Sequence, residues 1–515
     1  DQPVMSVHDF YVLSPYLAMA GAGVFVILLD LALPQRSKSL LPYFAFAALA
    51  GPFVMSLIQF YDLGGGVNLL KGAEAFATED PSILLSAISV DRFALFFNFL
   101  IIGSVALVVL ASTDYVRNLQ RFQGEYFGLI LFAATGMMLL AAATELITIY
   151  VSLELTTLPL AALTAFLLNR NSSEAGMKFL IIGAISSALM LYGMALVFGF
   201  TGSTQLAEIS TAIGHASGDT PFGNYALFVG IILMIAGFGF KLSAAPFQMW
   251  VPDVYEGGPT PVVGFLSVAS KAAAFAVVLR VLFTGFFDVA LDWGILIAGL
   301  AAASMVIGNL VAISQSNIRR LFGYSTISHA GYILVGVAAG VKSGEGIFKS
   351  PEFAAIGPDS VLFYLAAYAA ANLTAFFAIT MISSKINSDQ ISDYAGLSAR
   401  SPVLAVVLAL SLLALIGVPP TGIFIAKLYI FTAAVDSGLI WLAILGVINS
   451  AVSAYYYVRI IRVMFTQPAT SEEKIGGLPA PWLALGIAGG AMVFMGIAPG
   501  FVMEAAQEAV KALAV

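Results

Sequence analysis

The sequence predicts an all-α polytopic membrane protein of about fourteen transmembrane helices, on three observations. Hydrophobic residues make up 60% of the 515 and charged residues 10%, whereas a water-solvated domain carries roughly a quarter of its residues as charges. Apolar windows of about 20 residues, the length that crosses a bilayer core, recur along the whole chain. Two of these windows, the seventh and the twelfth, are interrupted by proline and glycine.

Taken in order, the windows place spans at about 15–34, 40–61, 91–113, 126–144, 146–168, 176–201, 223–250, 260–286, 291–314, 321–341, 359–386, 402–434, 437–463 and 480–503. Backbone groups in hydrocarbon must be paired within the element, so runs this long are helices rather than open strands. The first run, near Leu17 to Leu33, is long enough to remain a span rather than act as a cleaved signal. The pieces between spans, of which 62–90, 202–222 and 342–358 are the longest, are too short to be separate domains. One membrane domain over 1–515 is expected. It divides into three N-terminal helices (15–113), a five-helix unit (126–286), a second five-helix unit (291–463) and a last helix (480–503).

Composition removes several chemistries. With no cysteine, the chain offers no disulfide, thiolate-ligated iron–sulfur cluster or cysteine nucleophile. The three histidines, His8, His215 and His329, are too scattered for a metal site, and no Gly-rich phosphate loop is present. Nucleic acid is not an expected partner, because no basic cluster exists.

Lysine and arginine set orientation by staying in the cytoplasm. Loops after odd-numbered spans carry twelve of them: Arg36, Lys38, Arg117, Arg121, Arg170, Arg319, Arg320, Lys385, Arg400, Arg459, Arg462 and Lys474. The other face carries five: Lys71, Arg92, Lys342, Lys349 and Lys511. Odd-numbered loops are therefore expected in the cytoplasm and both termini outside it.

Lys178, Lys241, Lys271, Arg280 and Lys427 remain for the membrane itself. A charge at mid-helix costs about 2.5–3.5 kcal/mol on insertion scales, so several of them imply a paired or water-lined interior. Lys271 stands near the middle of the eighth span, too deep for its stem to reach either surface. Lys241 lies deep in the seventh span just before Pro246, and Lys427 follows the GVPPTG break of the twelfth. Glu154, in the fifth span, is the deepest carboxylate and the natural counter-charge. Glu145, nine residues earlier, is half a turn out of phase and sits at the span edge. Lys178 either extends to the surface or stands beside Glu154. Arg280 is expected to snorkel at the outer end of its span, and Asp30 to face headgroups. His329 is a structural histidine or a relay between lysines. Burial disfavours the charged amine and can bring a lysine from about 10.4 toward neutrality, while histidine titrates near 6.5, so such a row can take up and release protons.

The two interrupted spans are five helices apart. An odd-numbered repeat enters the bilayer from alternate sides, so spans four to eight and nine to thirteen read as inverted copies, each broken in its fourth helix. Paired broken helices mark ion sites in transporters. A plain kink explains the breaks but not their pairing with Lys241 and Lys427.

Four stretches carry a resemblance: LELTTLPL around Glu154, EAGMKFLIIGAISSALMLYG around Lys178, FKLSAAPFQMWVPDVYEGGPTPV after Lys241 and RRLFGYSTISHAGYILVG around His329. They resemble the antiporter-like membrane subunits of respiratory complex I, related to Mrp-type sodium/proton antiporters. The resemblance implies a hydrated proton path through Glu154, Lys241, Lys271 and Lys427, to which the residues add Lys178 and His329. It further implies coupling to quinone reduction elsewhere. NADH, FMN, iron–sulfur clusters and quinone would be held by other subunits, and this chain would bind no cofactor. Its partners would be the other membrane subunits of such a complex and lipids. It also implies a bacterial inner membrane, or less readily a mitochondrial one. Competing readings are a subunit of a Mrp antiporter or membrane-bound hydrogenase, a scaffold whose lysines are structural, and a solute carrier.

Overall fold

The computed structural model describes residues 7–64, 82–83, 87–117, 122–216, 225–343, 351–469, 475–476 and 478–513. Four of the loop cations counted above, Lys71, Arg121, Lys349 and Lys474, lie outside the described residues. Among the described residues thirteen helices are long and apolar enough to cross a membrane. They are Asp9–Ala32, Arg36–Leu63, Arg92–Ala111, Gln123–Ala142, Leu146–Thr164, Arg170–Thr201, Tyr225–Leu242, Thr260–Gly285, Phe287–Ile313, Ile318–Ala338, Ile356–Ile386, Ile440–Thr466 and Pro479–Ile497. The remaining span, twelfth in chain order, is two short helices, Pro402–Ile416 and Gly422–Asp436. The protein is thus an all-α polytopic membrane protein. Among the described residues, strand is confined to two small antiparallel ribbons in loops, pairing Ser82 with Ser89 and Val341 with Phe353.

Side-chain caps fix where several spans begin. Asp91 accepts from the Ala94 N–H at 2.7 Å, Asn169 from Ser172 at 2.9 Å and Asn317 from Arg320 at 3.1 Å, each satisfying a donor that the first helical turn leaves orphaned. The core sits where the apolar windows are buried all round. Spans 8, 10 and 11 have 94% of their windows buried, against 33–39% for spans 1, 2, 6, 13 and 14, so the first three form the centre and the others its lipid or partner face. Close backbone contact brings span 10 against span 9. A Cβ on Gly331 would stand 2.7 Å from the backbone nitrogen of Met305, an approach open only to glycine.

Several expectations need correction. The seventh span is not one helix over 223–250: helix ends at Leu242, an irregular stretch follows, and a short helix resumes at Val251–Gly257. The window 402–434 is divided at its proline pair, and the fourteenth helix stops at Ile497, after which Gly500–Val510 forms a separate helix. Arg280 does not snorkel. It is 2% exposed, its guanidinium grips both Asp91 oxygens at 2.8 and 3.0 Å, and its Nε donates to the Ala141 carbonyl. A guanidinium cannot shed its charge, so a bidentate partner is what burial requires. Asp30 likewise does not face headgroups: it is 6% exposed and pairs with Lys38 at 2.9 Å.

Candidate functional site

Lys241 occupies the last turn of the helix that ends at Leu242. Its amine donates to the Thr157 hydroxyl oxygen. That oxygen is free to accept because its own hydrogen goes to the Leu153 carbonyl at 2.6 Å. Glu154 is one turn before Thr157 on the same helix. One oxygen of Glu154 is buried with no hydrogen-bond partner. Glu145, by contrast, sits at the span edge, where Thr148 and Thr204 donate to its carboxylate at 3.0 and 2.8 Å.

Lys271 follows directly on a π-helical turn, Leu266–Ser270, and is 2% exposed. Its amine donates to the Thr326 backbone carbonyl at 2.6 Å and faces the Tyr368 ring at 5.9 Å. Span 10 then carries the site onward by three-residue spacing along one side. Thr326 meets Lys271, Tyr368 at 2.5 Å and Tyr255 at 3.1 Å; His329 meets the Tyr364 hydroxyl at 2.8 Å through Nδ1; Tyr332 receives the Lys427 amine 4.5 Å above its ring. The His329 ring meets that of Tyr368 at 5.0 Å, on the Lys271 side, and that of Tyr332 at 5.7 Å, on the Lys427 side.

Proline chemistry builds the Lys427 end. In a continuous helix the carbonyls of Leu415 and Ile416 would be bonded by the N–H groups of residues 419 and 420. Both are proline and have none. The freed carbonyls take the Lys427 amine instead, at 3.5 Å for Leu415 and 2.8 Å for Ile416, and Ser450 completes the set at 2.8 Å. Gly417 makes the turn at φ +92°, and a Cβ there would stand 3.0 Å from the Lys427 stem. The two breaks differ at their amines, since Lys241 precedes its break and Lys427 follows its own.

The structure thus brings together Glu154 with Lys241, and Lys271 with His329 and Lys427. Lys178 is set apart, paired with Glu174 and Asp253, each at 2.8 Å, rather than with Glu154. Among the described residues no carboxylate lies within ion-pair distance of Lys241, Lys271 or Lys427. Their partners are neutral oxygens, which hold an amine by accepting its hydrogens and do not pin it in the charged form. Sequence reasoning missed those partners, Thr157, Thr326 and Ser450, and the tyrosines beside them, Tyr332, Tyr364 and Tyr368. The available signal was spacing, since Thr326, His329 and Tyr332 recur every three residues and Tyr364 and Tyr368 are four apart.

Residues 143–453 match the family described as NADH:quinone oxidoreductase/Mrp antiporter, TM. A protein of Dehalococcoides mccartyi named NADH-quinone oxidoreductase subunit N is 44% identical over 451 residues, 85% of this chain and 91% of that one. A protein of the same name from Trichlorobacter lovleyi is 39% identical over 506 residues, 97% of this chain and 96% of its own. The fold is similar to a chain in the structure of respiratory complex I from Thermus thermophilus with bound aureothin, with TM-score 0.75, 29% identity, and 95% and 98% of the two chains covered. The matched stretch contains both helix breaks and every residue from Glu154 to Lys427 discussed above, and the chain belongs to the family of membrane subunits shared by NADH:quinone oxidoreductases and Mrp antiporters.

Proposed function

We propose that this chain is the N-type, proton-translocating membrane subunit of an NADH:quinone oxidoreductase, and that Glu154, Lys178, Lys241, Lys271, His329 and Lys427 are its proton path. One observation carries this reading: three amines in the membrane interior are held by neutral oxygens, and a single side of span 10 leads from the second to the third. An amine bound to hydroxyl and carbonyl oxygens can lose its proton and keep its place, with a hydroxyl turning to donate in return. A proton on Lys271 has Thr326 and Tyr368 beside it; the Tyr368 ring meets that of His329 at 5.0 Å, His329 bonds Tyr364, and Lys427 stands over the Tyr332 ring on the far side of His329. Glu154 stands one turn from Thr157, the residue that holds the Lys241 amine.

Redox chemistry belongs to other subunits in this reading, and no step here runs through NADH, FMN, an iron–sulfur cluster or quinone. Partners are the antiporter-like subunits M and L, the small membrane subunits K and J, and lipid. The chain sits in a bacterial inner membrane with both termini on the periplasmic face, supported by the uneven distribution of lysine and arginine.

The test is Lys271→Ala in the whole complex, reconstituted into vesicles with NADH and a quinone acceptor. Proton uptake per NADH should fall while the complex assembles and oxidises NADH. Undiminished pumping would remove the amine row from the mechanism. The family also spans Mrp antiporters, so the same vesicles should be given a sodium gradient; proton movement driven by sodium without NADH would favour that second reading.

A further inference from the structure

At the end of the bundle where the odd-numbered loops lie, five charged side chains form an alternating chain. Glu174 pairs with Lys178, Lys178 with Asp253, Asp253 with Arg320 and Arg320 with Glu256, all at 2.8–2.9 Å. They come from three elements: the start of span 6, the short helix Val251–Gly257 and the start of span 10. Asp253 is the hinge of the chain, with one oxygen on Lys178 and the other on Arg320. Beside it opens a cavity of about 180 Å³, lined by Asn171, Glu174, Lys178, Asp253 and Glu256.

The floor beneath this chain is aromatic. Phe179, the residue after Lys178, stacks on Phe240 at 5.7 Å and meets Trp250 at 4.7 Å, and Phe240 meets Trp250 at 5.2 Å. All three rings are buried, and the Trp250 N–H donates to the Phe240 carbonyl at 3.2 Å. Directly beyond them is Lys241, whose amine is 5.2 Å from the Phe240 ring centre. The ring cluster thus runs from Phe179, the residue after Lys178 of the charged cavity, to Phe240, the residue before Lys241. Trp250 belongs to the segment that leads into the Asp253 helix, so whatever moves that helix moves the layer.

We propose that these two features form one gate, with the Phe179, Phe240 and Trp250 rings as the barrier between the odd-loop aqueous phase and Lys241, and Asp253 as its latch. The proposal rests on the proton path set out above and names its entrance. With both Asp253 ion pairs made, the short helix is tied to spans 6 and 10 and the rings exclude water, as apolar constrictions do in channels. When Asp253 releases either cation, the helix and Trp250 are freed, the rings part, and water reaches Lys241.

The native chain has no cysteine, so one can be placed beyond the layer without competition from its own thiols. Ser186→Cys is such a position, two turns past Phe179 on the same side of span 6, where Ser186 donates to the Gly237 carbonyl. The whole complex carrying this cysteine is exposed to a membrane-impermeant maleimide from the odd-loop face, and adduct formation is read by mass on this chain. Labelling should be slow in the S186C parent and rise several-fold when Trp250→Ala or Asp253→Asn is added, with fewer protons pumped per NADH in both. Should W250A not assemble, Phe179→Ala removes a ring from the same layer and takes its place. Labelling at the parent rate in the ring variant or in D253N overturns the gate. Lys271→Ala, measured alongside, separates the two ideas: normal pumping there sinks the proton path, whereas lost pumping there with unchanged labelling sinks only the gate.

Discussion

Lys271 and Arg280 stand on the same helix, each 2% exposed, yet only the arginine has a carboxylate. The difference follows from what each group can give up. A guanidinium stays charged at any accessible pH and needs Asp91, whereas an amine can release its proton and rest on the Thr326 carbonyl. Asp91 is doubly committed, because it also caps span 3. Breaking a buried pair by removing one partner typically costs about 3–5 kcal/mol. Asp91→Asn is therefore expected to lower the thermal stability of the detergent-solubilised protein markedly, without moving any residue of the amine row. A melting temperature equal to wild type would show that Arg280 finds compensation elsewhere. This contrast was not legible in the sequence: Arg280 was placed at the right end of its span, but a partner 189 residues away leaves no local signal. Lys241, Lys271 and Lys427 were legible because charge is expensive in an apolar run whatever surrounds it. Their hydroxyl and carbonyl partners were not, because serine, threonine and tyrosine are common in membrane helices and a carbonyl is present at every residue.

Among the elements, the broken helices repay closest reading. Pro419 and Pro420 withdraw two N–H groups, Gly417 turns the chain, and the two carbonyls left over become ligands of Lys427. Gly417→Ala should be unfavourable on two counts, a left-handed backbone that costs an L-residue roughly 1–2 kcal/mol and a methyl pressed against the lysine stem. The expected outcome is an assembled complex of reduced stability whose pumping falls more than its NADH oxidation; a variant pumping as well as wild type would show that the turn need not be held so tightly. Proline and glycine announced the position of both breaks. Their internal form was hidden, since hydropathy averaged over a window ran 223–250 and 402–434 as continuous spans, and only backbone hydrogen bonding shows that helix stops at Leu242 and at Ile416.

At the scale of the molecule, the thirteen long apolar helices, the place of the broken twelfth span and a concentration of cations on one set of loops were readable from composition and periodicity alone. The packing order was not, because an apolar window reads alike whether it faces protein or lipid; spans 11 and 14 differ by 94% against 39% burial at equal hydropathy. Orientation yields a direct experiment. Ser384, at the end of span 11, and Asp436, at the end of span 12, are both exposed and lie toward opposite membrane faces. In sealed cells Ser384→Cys should resist an impermeant thiol reagent until the membrane is opened, and Asp436→Cys should react at once. The reverse pattern would invert the topology and place the charged entrance on the periplasmic face.

The eighth span has two wide turns, Leu266–Ser270 and Val281–Gly285, with the ten-residue segment Lys271–Arg280 between them. Wide turns are where a helix most easily changes its winding. Arg280 clamps one end of the intervening segment to Asp91, so any twist arriving from the Thr260 side is delivered to the free end, as in a torsion bar fixed in a vice. The lysine is at that free end, and a small rotation there changes which neighbour its amine can touch.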